Sequence, residues 1–444
     1  MKNQDENVFS QYKAQYEQGM NPQTPEKKKG SGKSFWTGVI TGLAAAVVIS
    51  LGSLICTRLL MAPPGSGISI SGKTTEQAET AGSSAVTKAV MEKMKKIEKV
   101  IDSYYYQEET DKEMLIEDAY KGMMASLGDP YSTYYTEEEV QELRDQTEGI
   151  YYGIGAYVSL DTKSGYAVIS GVIAETPAEE AGLREGDVIY EVDGESAYGL
   201  ELSDVVAMIK GEEGTLVHLK LVRDGESDYV EMDVERRRIV SPTVVSRMEE
   251  DQMGYIQITE FDDVTSGQFS EALQSLKDQG MKGLILDLRS NPGGNLTAVV
   301  EIAQMLLPEG MIVYTEDRDG NRDEYTCKGD QELKLPMVVL VNGYSASASE
   351  ILAGAIQDYG TGTLVGTTTY GKGIVQQIIS LRDGSAVKLT VSSYYTPKGR
   401  NIHGIGIEPD IVCEFDSDAY YASDEKPDNQ LECAKEVLQE KMNP

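Results

Sequence analysis

Histidine is scarce in this chain: 444 residues hold two, His218 and His403. That excludes a histidine-rich metal centre and leaves any serine-dependent hydrolysis without its usual base. Cysteine is nearly as rare. Cys56, Cys327, Cys413 and Cys433 are scattered, with no C-x-x-C pair. No metal site and no disulfide framework follow, only room for one optional bridge. Basic residues are outnumbered 40 to 73, giving a net charge of −33. A surface so acidic lacks the positive face that nucleic acid requires and disfavours broad contact with anionic lipid. The length allows about three domains.

One stretch has no charge at all. Residues 35–57 would form a helix of roughly 34 Å, enough to cross a ~30 Å hydrocarbon core. Lys27, Lys28, Lys29 and Lys33 precede it and only Arg58 follows closely. The positive-inside rule then predicts a cytoplasmic tail (1–33), a transmembrane anchor (34–62) and an extracytoplasmic remainder. A cleaved signal peptide would have a shorter apolar region and a shorter polar lead. Cys56 lacks the small residue just upstream that a lipoprotein site needs. The Pro-, Gly- and Ser-rich residues 63–84 read as a linker.

Residues 85–145 carry helical periodicity. Val90, Met94, Ile97, Val100 and Ile101 form one stripe, and Met114, Ile116, Ala119, Met123 and Leu127 a second. Gly128-Asp129-Pro130 stops the second helix, and Thr136 with Glu139 signals a third. Such stripes imply a core face or, failing that, a dimer interface. Residues 146–230 turn to short strands around Gly153-Ile154-Gly155-Ala156, Pro177-Ala178-Glu179-Glu180-Ala181-Gly182-Leu183 and Gly186-Asp187-Val188-Ile189, with a helix at 203–210. The succession resembles a bacterial-type PDZ domain, in which the backbone N–H groups of the 153–156 loop would grip a peptide carboxylate. From 231 to 415 strands and helices alternate. The strands at 283–288 and 337–341 are nearly all apolar, as in strands buried on both faces. Residues 416–444 read as a C-terminal tail.

The chemistry gathers at Ser345-Ala346-Ser347-Ala348-Ser349-Glu350 and Tyr370-Gly371-Lys372-Gly373. Ser347 opens a helix whose free N–H groups and dipole favour a developing oxyanion. Ser347-x-x-Glu350 is equally a capping box, a purely structural use of the hydroxyl. The spacing alone does not separate Ser345, Ser347 and Ser349. Lys372 would have to lose about three pKa units by burial to act as a base. Leu364-Val365 and Ile374-Val375 supply an apolar setting, and on an extended segment Gln376 shares its face. Gly366 to Gly373 nearly spells a P-loop, but Gly373 stands where the magnesium-binding hydroxyl must be.

These motifs, with Gly128-Asp129-Pro130-Tyr131-Ser132, Asp287-Leu288-Arg289-Ser290-Asn291-Pro292-Gly293-Gly294 and Gly406-Ile407-Glu408-Pro409-Asp410, resemble the C-terminal processing peptidases, tail-specific serine–lysine proteases. The likeness spans about residues 90–415. It implies an α/β (α+β) multidomain chain with a crotonase-like ββα protease core and no cofactor or metal. It further implies Ser347 as nucleophile, Lys372 as base, Gln376 as its orienting partner, and Gly293 and Ala348 N–H groups as oxyanion hole. Family members use the PDZ domain as a substrate-gated lid, dimerise through the helical segment and cut near the C-terminal tails of protein substrates. With the anchor, this describes a bacterial cell-surface enzyme. The arginine that often couples lid to site is replaced by Lys210, which lacks the planar fork. A trypsin-like PDZ protease would need a histidine and an aspartate ahead of the serine and the PDZ domain after it; a non-catalytic tethered PDZ module would tolerate loss of Lys372.

Overall fold

The computed structural model describes residues 84–106, 111–161, 164–423 and 426–443. The expected tail 1–33, anchor 34–62 and linker up to residue 83 lie outside the described residues. Among the described residues, no helix is long and apolar enough to cross a membrane.

The helical segment comprises α1 (Lys88–Tyr104) and α2 (Lys112–Ala125). Thr87 and Asp111 cap them by accepting N–H bonds of their first turns. Neither helix buries a side chain. The stripe residues Met94, Ile97, Val100, Met114, Ile116 and Met123 are exposed, so the core reading of these stripes is wrong within one chain. After the 128–132 turn come β1 (Thr133–Tyr135) and α3 (Glu137–Glu148), the latter opened by the Thr136–Glu139 capping box and closed by Gly149 at φ 64°. The expected boundary at 145/146 therefore falls inside α3.

Next, β2 (Ile150–Gly153) leads to β3 (Ala156–Asp161), β4 (Tyr166–Val172), α4 (Pro177–Ala181), β5 (Val188–Val192), β6 (Glu195–Ser196), α5 (Leu202–Ile209), β7 (Leu216–Val222) and β8 (Val230–Glu235). The antiparallel order is β3-β4-β5-β7-β8, with β6 on β5. Ile169, Ile189, Leu219, Leu221 and Val205 fill the interior. Glu235 pairs with Leu216, so the expected boundary at 230/231 cuts β8, whose alternating Val230, Met232 and Val234 pack inward. β9 (Arg237–Val240) then runs back along β2 as a two-stranded ribbon between this domain and the core.

The core holds β10 (Val244–Met248), β11 (Met253–Ile258), α6 (Thr265–Asp278), β12 (Gly283–Asp287), α7 (Leu296–Leu306), β13 (Gly310–Asp317), β14 (Arg322–Cys327), β15 (Met337–Val341), α8 (Ala348–Tyr359), β16 (Thr363–Gly366), β17 (Ile374–Ser380), β18 (Ala386–Tyr395) and β19 (Ile411–Val412). One sheet has the order β10-β11-β12-β15-β16-β19, parallel from β11 onward. Side chains of α6, α7 and α8 join the large apolar cluster on one face. The expected tail covers the other. It folds as α9 (Ser417–Ala422) and α10 (Asn429–Met442), and Ala434 and Leu438 of α10 pack on Met253, Ile285, Val338 and Leu340. Burying a leucine there contributes roughly 1.5–3 kcal/mol. Gly283 permits the approach, since a Cβ would lie 2.9 Å from Leu438 Cδ1. With both faces covered, β12 and β15 are buried throughout, and only Asp287 at the end of β12 breaks their apolar run.

A second, antiparallel sheet has the order β1-β18-β13-β14, with β17 also on β18. Thr133 pairs with Lys388, which stitches the helical segment into the core beside the lysine loop.

Candidate active site

β15 ends at the carboxyl edge of the parallel strands, where α/β sheets place their sites. The three serines beyond it separate by what their hydroxyls do. Ser345 Oγ donates to the Leu288 carbonyl at 2.8 Å and Ser349 Oγ to the Asn291 carbonyl at 3.0 Å. Ser347 Oγ is buried and bonds to nothing among the described residues. Its backbone is strained, at φ 55° and ψ −113°, a conformation costing about 1–3 kcal/mol that surrounding bonds must hold. They do: the Ser347 N–H donates to Glu350 Oε2 at 2.9 Å, and its carbonyl accepts from the Tyr394 hydroxyl at 3.0 Å. Thus the capping box supplies the Glu350 arm while the hydroxyl stays unspent.

Glu350 is the hub. Besides Ser347, it accepts from Lys372 N–H (2.8 Å), Gly371 N–H (2.7 Å) and Thr369 Oγ1 (2.6 Å). Burial pushes its carboxyl up, and these donors work against that. One carboxylate thereby fixes the lysine loop to the serine turn. The Gly406-Ile407-Glu408-Pro409-Asp410 segment braces the same assembly. Ile407 N–H donates to Thr369 Oγ1 at 2.7 Å, and Asp410 accepts the Leu364 N–H at 2.8 Å.

Lys372 is buried, and its amine faces the Tyr131 ring at 4.9 Å from the centroid. Burial, then the charge of Lys388, bring its pKa down to about 8 against the pull of Glu350 and Asp129. No hydrogen bond joins the amine to Ser347 Oγ in this conformer. Gln376, on β17, is buried and donates to Thr390 Oγ1 at 3.2 Å. Thr390 N–H donates to Ser132 Oγ, whose hydroxyl donates to Asp129, so Gln376 is wired to the 128–132 turn.

Gly293 lies against the serine: a Cβ on it would stand 2.7 Å from Ser347 Cβ and 2.9 Å from Ala348 N. Its positive φ of 104° and that contact leave glycine as the fitting residue. The Gly293 N–H donates to Asn291 Oδ1 at 2.8 Å here, while Ala348 is the first residue of α8, whose N–H has no acceptor within the helix. Asn291 ties the two loops together, accepting the Ala346 N–H on its carbonyl at 3.0 Å and donating to Ile258 at 2.8 Å.

In the smaller domain, the Ile154 carbonyl accepts from Ala178 N–H and the Gly155 carbonyl from Ile173 N–H. Gly155, at φ 85°, packs so closely on Thr176 that a Cβ would meet it at 2.4 Å. Ala156 opens β3, an end strand of its sheet with α5 packed beside it. Lys210 closes α5 and lays its amine over the Tyr151 ring of β2 at 5.6 Å. His218 is exposed and paired with Asp233 at 2.8 Å; His403 is exposed in its glycine-rich loop.

Sequence reasoning assigned no role to Tyr131, Tyr394, Asn291 or Lys388, and gave Glu350 only a cap. The signal for Tyr131 lay in the Gly128-Asp129-Pro130-Tyr131-Ser132 motif, but nothing in it shows that the turn reaches Lys372.

Residues 252–413 match the model of peptidase family S41, residues 168–223 a PDZ domain, and residues 64–139 the activating protease CtpB N-terminal domain. The chain is 38% identical over 325 residues to the carboxy-terminal processing protease CtpA of Bacillus subtilis (strain 168), covering 73% of this chain and 69% of that protein. It is 36% identical over 324 residues to the carboxyl-terminal-processing protease of Synechocystis sp. (strain ATCC 27184 / PCC 6803 / Kazusa), covering 72% and 76%. Among solved structures it is similar to a photosystem II D1 C-terminal processing protease, at 33% identity and a TM-score of 0.44, covering 71% of this chain and 86% of that one. By its family-model matches and its identity to these two relatives, the chain belongs to the carboxy-terminal processing proteases, PDZ-containing serine peptidases of family S41.

Proposed function

We propose that this chain is a membrane-anchored endopeptidase that binds the carboxylate of a protein tail on the 153–156 loop and cuts a peptide bond nearby with Ser347. The observation that carries the reading is the hydroxyl inventory. Of three buried serines beside a buried lysine, only Ser347 keeps its Oγ unspent. Lys372, neutral above about pH 8, takes the serine proton as Oγ attacks the peptide carbonyl and returns it to the leaving amine; water then releases the acyl group. Ala348 N–H and Gly293 N–H, the latter once released from Asn291, receive the oxyanion. Gln376 orients the amine when it leaves the Tyr131 ring. The tail pairs along β3 as an added strand.

The uncharged run at 35–57 supports anchoring at a bacterial cell surface with the catalytic part outside. The exposed stripes of α1 and α2 support a homodimer in which a second copy covers them. The test compares wild-type and Lys372→Ala enzyme on one peptide with a free or an amidated C-terminus. Cleavage should require both the lysine and the free carboxylate. Equal cleavage of both peptides would overturn the tail-binding reading, and an active Lys372→Ala enzyme the base.

A further inference from the structure

Three cysteines lie among the described residues, and they are not alike. Cys327 is buried in the large core, its thiol donating to the Leu307 carbonyl at 3.3 Å. Cys413 and Cys433 are only partly buried, and both pack against the small cluster beneath the parallel sheet. Cys413 directly follows β19, and its N–H donates to the Gly366 carbonyl at 2.9 Å, so its backbone is pinned to the sheet. Its sulfur lies 3.9 Å from the Asn429 carbonyl and 3.7 Å from Asn429 Nδ2. Asn429 is the first residue of α10, and Cys433 stands one turn further on the same face. The two cysteines are accordingly neighbours on one cluster, and burial together with the Cys433 thiol pushes Cys413 up to about 11.

We infer that Cys413 and Cys433 form a redox-responsive pair that closes into a disulfide and staples α10 to the sheet. The oxidant is an external disulfide. One cysteine thiolate attacks it, forming a mixed disulfide and expelling one thiol. The second cysteine thiolate then displaces the other thiol and forms the Cys413–Cys433 bond. Two cysteine protons leave, and two electrons pass to the external disulfide, which ends as two free thiols. Because Cys413 holds its proton tightly, closure accelerates as pH rises.

The staple would bear on the site above it. Asp428, which caps α10, lies between the two cysteines in the chain and accepts from both Arg289 Nη atoms at 2.9 and 2.8 Å. Arg289 also grips Asp287 through three bonds of 2.6 to 3.1 Å. It thus anchors the turn that carries Asn291 and Gly293. Closing the loop restricts the unfolded chain and holds Asp428 beneath that turn.

The full-length chain, reduced and then incubated with oxidised glutathione, tests this. The expected product is a Cys413–Cys433 cross-linked peptide by mass spectrometry, together with a melting temperature raised by roughly 5 °C. Cys433→Ser and Cys413→Ser should match the reduced wild type in melting temperature and show no rise on oxidation. A protein that remains reduced, stops at glutathione adducts, pairs between chains, or forms the bridge without a change in melting temperature overturns the inference.

Discussion

Lys372, just ahead of β17, and Lys388, on β18, are both buried amines brought down to about 8, in each case chiefly by burial. Each faces a tyrosine from the N-terminal segment: Tyr131 over Lys372, and Tyr135 over Lys388 at 5.2 Å. What differs is the wiring. Lys388 donates to the Tyr135 hydroxyl at 2.7 Å, on the strand that stitches β1 into the sheet. Lys372 has its backbone, not its amine, fixed: the N–H is held by Glu350, the carboxylate that also holds Ser347. Burial lowers both amines alike; under the proposed mechanism it is the backbone tether to Glu350 that selects Lys372 as the base for Ser347.

The largest effect that tests this distinction is the loss of either amine. Lys372→Ala should lower kcat/KM on a tail peptide by at least ~10³-fold. Lys388→Met should retain kcat within about tenfold. Because the Lys388 charge lowers Lys372, its removal should raise the pKa of Lys372 and move the rising limb of the pH–rate profile above the wild type's, which centres on about pH 8. Equal losses in the two variants, or an acid shift in Lys388→Met, would erase the difference between them. Glu350→Gln comes next. An amide accepts fewer of the converging donors, so we expect a ~10²-fold fall in kcat with a stability loss of about 1–3 kcal/mol in urea unfolding. Full activity in that variant would remove the tether from the account. The smallest effect belongs to Tyr131→Ala. It admits water to Lys372, so the rising limb should move to higher pH with a few-fold loss near pH 7, whereas Tyr131→Phe keeps the wild-type profile.

Much of this was legible in the chain. The apolar runs at 283–288 and 337–341 announced a doubly covered sheet, and β12 and β15 are its central strands. The serine and lysine motifs pointed to one locality because each carries its own spacing rules. Periodicity identified α1 and α2 as helices but not what their stripes face; that depends on neighbours a local pattern does not encode. The same limit explains the reading of 416–444 as a tail. The Leu431, Ala434 and Leu438 spacing is helical, yet its partners Met253, Ile285 and Val338 are remote in sequence. Hydroxyl assignments were hidden for a similar reason. Ser345 and Ser349 are spent on carbonyls of the 288–291 turn, more than fifty residues away.

The central claim is that Ser347 alone among the clustered serines is free to react. It is tested most directly by pairing tail-peptide cleavage with thermal unfolding in Ser345→Ala, Ser347→Ala and Ser349→Ala. The account predicts that Ser347→Ala abolishes cleavage without lowering the melting temperature. Ser345→Ala and Ser349→Ala, each losing a buried hydrogen bond worth about 1 kcal/mol, should melt earlier and still cleave. Cleavage that survives Ser347→Ala would contradict it.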